Sequence, residues 1–74
     1  MIQVTFVTPE PGVKRQLGFA AFPALTPDKQ SDFSCSPADI ISLEMAKRIA
    51  EALKRGEVVG KVDGMEWRRD KPMK

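Results

Sequence analysis

The sequence contains no histidine and a single cysteine, Cys35, and these shortages exclude more than any residue present identifies. Without histidine the chain lacks the commonest general acid–base group near neutral pH. One cysteine and no histidine cannot supply the ligand set of a structural zinc site. A lone cysteine also forbids an intrachain disulfide, which points to a reducing compartment and gives no sign of secretion. Nor is there an apolar run approaching the roughly 20 residues that a membrane-spanning helix needs. Met1–Thr5 lacks the basic-then-apolar layout of a signal peptide, so the expected location is the cytoplasm. No catalytic, metal-binding or nucleotide-binding motif stands out, and no cofactor is expected.

At 74 residues the chain has room for one domain, expected over residues 1–69. A domain of this size buries only about 60% of its unfolded surface, so its stability is marginal unless well idealised or shared with another chain. The net charge of +2 is unevenly placed. Arg68, Arg69, Lys71 and Lys74 crowd the last residues, leaving the body slightly acidic. Residues 70–74 read as a frayed basic tail.

Ile2–Thr8 alternates apolar and polar residues and is rich in β-branched ones, which predicts a strand. Pro11-Gly12 suits the centre of a type II turn, and Gln16–Phe22 reads as a second strand ended by Pro23. Folding back at Pro11-Gly12 sets Phe6 opposite Leu17, Val4 opposite Phe19 and Ile2 opposite Ala21, all on one face. Residues 23–35 read as an ordered loop, pinned by Leu25 and Phe33, with a helical turn starting near Thr26. Ser36-Pro37-Ala38-Asp39 has the form of a helix start, with Ser36 as N-cap and Pro37 at the first helical position. Lys54-Arg55-Gly56 has the form of its end.

Along that helix Leu43, Ala46, Ile49, Ala50 and Leu53 fall on one stripe. Glu44, Arg48, Glu51 and Arg55 fall on the opposite one, spaced for i,i+4 ion pairs. Ile40 at N4 then packs on Cys35 as a hydrophobic staple, whereas Ile41 has no structural reason. Asp63-Gly64 turns a second hairpin, with Lys61 opposite Glu66 and Trp67 lying across Gly60. The sum is an α+β fold in the order ββαββ: a four-stranded antiparallel sheet of two hairpins packed on one helix. Two separate hairpins gripping the helix are the alternative.

The candidate sites are weighed against plainer roles. Cys35 lies near a helix N-terminus but has no histidine to serve as its base, so it reads as a small apolar residue. Asp28 and Asp32 read as solvated turn residues, since a surface loop offers no pocket to shift their protonation. Arg68, Arg69, Lys71 and Lys74 are the ingredients of a nucleic-acid contact, but the hairpin register sends Trp67 to the core and leaves no stacking surface. Val7, Phe22, Ile41 and Val59 are the apolar residues left without a core position, and they mark a surface for a larger protein or for a homodimer.

The leading expectation is a small non-enzymatic protein-binding module that acts by occupying a surface of a larger partner. In size, simplicity and layout the chain resembles the small accessory proteins of phages and mobile elements, including anti-CRISPR inhibitors of host defence. No motif carries that likeness and no family follows from it. The alternative is a nucleic-acid-associated regulator that uses the basic tail.

Overall fold

The computed structural model describes residues 1–9 and 11–70. Its elements follow in the order β1 (Ile2–Val7), β2 (Gln16–Phe22), β3 (Ser34–Ser36), α1 (Leu43–Lys54), β4 (Val59–Val62) and β5 (Met65–Arg69). The strands form one antiparallel sheet, ordered β3-β2-β1-β5-β4 in space. The expected helix and both hairpins are present. The sheet has five strands, however, because residues read as the end of a loop and a helix cap pair with β2 as β3. Pairing of β1 with β5 joins the hairpins into one layer, so they do not grip the helix separately.

Between β1 and β2 the backbone departs from the expected register. Val7 pairs with Gln16 beside the loop, as folding back at Pro11-Gly12 requires. A bulge between Phe6 and Val7 then shifts the ladder by one residue, so Phe6 meets Gly18, Val4 meets Ala20 and Ile2 meets Phe22. A one-residue shift in a strand of period two exchanges its faces. Ala20 and Phe22 therefore enter the core, while Leu17 and Phe19 turn outward. Gly18 lies where the chain leaves β3: a β-carbon there would overlap the Ser36 carbonyl and the Ile40 side chain.

Two serines compete to start the helix, and Ser42 is the cap. Its hydroxyl accepts the Met45 N–H at 3.3 Å, with extended backbone at Ser42 itself. Ser36 is held in the sheet opposite Phe19 instead. The later start corrects two readings at once. Cys35 is a strand residue and not the partner of a staple, and its thiol donates to the Ala38 carbonyl at 3.3 Å. Ile41 moves to N′ and Ala46 to N4, the two positions of a hydrophobic staple, and both are buried.

The helix ends as its sequence requires. Gly56 takes φ of +88°, and the N–H groups of Gly56 and Glu57 reach back to the carbonyls of Leu53 and Ala52 at 3.0 and 3.1 Å. That pattern is a Schellman motif. Ala46, Ile49, Ala50, Ala52 and Leu53 are buried, and all of these but Ala50 join Val4, Phe6, Phe22, Val62 and Trp67 of the sheet in one core cluster. Each large side chain so buried contributes about 1.5–3 kcal/mol. The charged stripe is exposed, but its i,i+4 pairs are not made. Glu51 pairs with Lys54, and Arg55 pairs with Glu57 just beyond the Schellman turn, each at 3.0 Å.

The segment between β2 and β3 has its helical turn at Gln30–Asp32, later than the start expected near Thr26. Phe33 is buried and stacks on Phe22 with ring centroids 6.0 Å apart. Asp32 accepts the backbone N–H groups of Asp28 and Lys29 at 2.9 and 3.2 Å. Its carboxylate therefore fastens the turn.

Candidate functional site

With α1 on one side of the sheet, the other side has no covering element among the described residues. Its centre is a row that crosses all five strands: Ser36, Phe19, Thr5, Arg68 and Val59, each register partner of the next. Partners in an antiparallel ladder point to the same face. Phe19 is 37% exposed, Val59 52%, and neighbouring Leu17 40%. Val7 lies on the same face, half-buried, in the row of Glu66 and Lys61. Large apolar side chains on an uncovered sheet face are the feature here that folding does not explain.

Charge borders these apolar groups. Lys14 reaches from the first hairpin loop to donate to the Glu66 carboxylate, crossing from β2 to β5 over the outer face. That hydrogen bond, followed by the nearby charges of Lys14, Arg68 and Lys61, holds the Glu66 carboxyl below its ordinary value of 4.5. Register places Lys61 opposite Glu66 as expected, yet the ion pair is made by Lys14. Thr5 donates to the Asp70 carboxylate at 2.7 Å, and the Asp70 N–H donates to the Gln3 carbonyl at 2.8 Å. Asp70 is thus fastened to β1 and belongs to the sheet's border, not to a frayed tail. With both acids engaged, Arg68 and Lys61 are the cations on this face that make no ion pair among the described residues.

Of the four apolar residues expected at a partner surface, two lie on the outer face of the sheet and two are buried in the core. Val7 and Val59 lie on the outer face. Phe22 is 1% exposed and Ile41 3%, so neither is available to a partner. The bulge explains the first and the Ser42 cap the second. Leu17 and Phe19 are the residues that sequence reasoning missed. Phe19-Ala20-Ala21-Phe22 is apolar at successive positions, so alternation does not choose which pair faces inward.

Of the four basic residues, the two that are described, Arg68 and Arg69, lie on opposite faces of the sheet. Arg68 is exposed on the outer face, while Arg69, paired with Val4, is on the helix side. Lys71 and Lys74 lie outside the described residues. Trp67 is buried at 2% exposure. Among the described residues no cluster of Cys, Asp and Glu has a metal-holding arrangement, and no helix is long and apolar enough to cross a membrane.

No protein-family model, curated protein or solved structure matches this chain.

Proposed function

We propose that this protein is a non-enzymatic protein-binding module whose partner surface is the outer face of the sheet. The observation that carries the reading is the row Phe19–Thr5–Arg68–Val59, flanked by Leu17 and Val7, in which exposed apolar side chains share a face with a cation that makes no ion pair among the described residues. A partner of matching chemistry is a larger protein that offers an apolar surface with an acidic group for Arg68. Aromatic and arginine side chains together are the usual anchors of protein interfaces. The size and simple α+β build of the chain fit an accessory protein of a phage or mobile element that inhibits a larger host complex by covering part of it, as anti-CRISPR proteins do.

The test is affinity capture from the native host with the wild-type chain and with Phe19→Asp. Phe19 is partly exposed on the outer face, so the substitution leaves the fold intact, which circular dichroism verifies. The reading predicts one stoichiometric protein partner that the variant loses. Capture of nucleic acid without protein, or binding to oligonucleotides at low salt that Lys71→Ala/Lys74→Ala abolishes, points to the regulator that uses the basic tail. A partner retained by Phe19→Asp removes the outer face from the account.

A further inference from the structure

β4 is an outer strand of the sheet and, among the described residues, pairs only with β5. The Val58 carbonyl accepts the Arg69 N–H at 2.8 Å, and Val62 faces Met65 across the Asp63–Gly64 turn. In an antiparallel ladder the residues between such bonded positions turn their N–H and C=O groups the other way. Val59 and Lys61 therefore aim their backbone groups out of the sheet, and no strand among the described residues meets them. The strand has no proline and no bulge to block further pairing; Lys61 is its single charged deterrent.

Beside that edge, on the helix side, lies a cleft of about 210 Å³. Ile49 and Ala52 of α1 and Trp67 of β5 form its apolar floor, and Gly60 leaves its wall low. Arg48 and Arg55 stand at its rim, where the acid is Glu57, already paired with Arg55 at 3.0 Å; Lys61 also borders the cleft but alternates to the outer face with its side chain. Arg48 and Lys61 make no ion pair within the described residues. The volume is below the roughly 300 Å³ at which small-molecule pockets begin. It suits one or two side chains of a strand laid along β4.

We infer that β4 receives an extended, acidic segment of a partner protein, which joins the sheet as a sixth strand with alternate side chains in the cleft. Backbone pairing at Val59 and Lys61 supplies the affinity, while Arg48 at the cleft and Lys61 on the outer side of the same edge select acidic residues. Nucleic acid lacks the alternating donors and acceptors of a peptide backbone, and the indole face that would stack a base is buried. The inference rests on the reading of the chain as a protein-binding module and adds the sheet edge as a second contact beside the outer face.

The test begins with selection of short random peptides, displayed on phage, against the immobilised full chain. The expected winners are rich in Asp and Glu with intervening apolar residues. A synthesised winner should lose about tenfold or more in affinity on Arg48→Glu. It should lose binding on Lys61→Pro, which removes an outward N–H without breaking the β4–β5 ladder. It should also slow hydrogen exchange at the amides of Val59 and Lys61. Exchange and the Arg48→Glu variant still decide the matter if Lys61→Pro does not fold. Winners without acidic bias, or binding indifferent to Arg48→Glu with no new protection in β4, would overturn the inference. A host partner lost by Phe19→Asp but bound fully by Arg48→Glu and Lys61→Pro sinks this proposal and spares the broader reading. No partner for any form of the chain sinks the broader reading itself.

Discussion

Trp67 lies across Gly60 so closely that a β-carbon added at residue 60 would stand 2.7 Å from three atoms of the indole ring. Glycine in a strand exposes backbone and contributes nothing to packing, and a cross-strand aromatic corrects both. Here the same indole is a core side chain and the floor of the cleft beside β4. One pair of residues thus ties folding to the shape of a candidate docking edge.

Gly60→Ala should therefore destabilise the fold, by about 1–3 kcal/mol, because the indole must move out of a packed core. Urea unfolding followed by Trp67 fluorescence measures it. A neutral or stabilising effect would mean that the indole does not cover the glycine.

The position of the helix cap is separable by two alanine variants. Ser42→Ala should cost about 1 kcal/mol through loss of the bond to the Met45 N–H. Ser36→Ala, exposed in β3 and capping nothing, should stay within about 0.5 kcal/mol of wild type. The reverse ranking in urea midpoints would place the helix start at Ser36.

Phe22 and Ile41 should behave as core residues. Phe22→Ala should cost about 3–5 kcal/mol and Ile41→Ala about 2–5 kcal/mol. Against a total stability of roughly 5–15 kcal/mol, and a small chain at the low end, Phe22→Asp should not fold at all. If Phe22→Asp gives a cooperative unfolding transition like that of wild type, the β1–β2 register described here is wrong.

The Lys14–Glu66 contact gives a dependence on pH whose sign is fixed. Glu66 has a lower pKa folded than unfolded, so its contribution to stability is complete above its ordinary value of 4.5 and is lost as pH falls through the lower, folded value. Solvent and salt screen the pair, and the effect should shrink in high salt. Urea midpoints of wild type and Glu66→Gln should differ at neutral pH and converge on acidification. A gap that stays constant into acid would show that Glu66 makes no such contact.

The sequence discloses those parts of the fold whose signals are local and unopposed. Asp63-Gly64 sets the β4–β5 register, Gly56 ends α1, and the stripe from Leu43 to Leu53 shows which side of the helix is buried. Where two signals compete, tertiary pairing decides. Ser36 and Ser42 are both competent caps, and pairing of Ser36 with Phe19 leaves the helix to Ser42. The apolar run from Phe19 to Phe22 fits either face of a strand, and a bulge that no residue announces selects Phe22 for the core. The candidate surface inherits that ambiguity. Val7 and Val59 were legible as outward residues because the alternation from Ile2 to Phe6 fixes the face of the first and the Asp63-Gly64 turn that of the second, whereas Leu17 and Phe19 emerge only once the bulge is known.

The central claim, that the chain works by contact with another protein through the outer face of its sheet, is tested most directly by photo-crosslinking in the native host. A benzophenone side chain at position 19 reports on the sheet face, and one at position 13, in the exposed first hairpin loop, serves as control. The account predicts one discrete protein adduct from position 19 and none from position 13. No adduct at position 19, equal adducts from both positions, or nucleic acid in place of protein would contradict it.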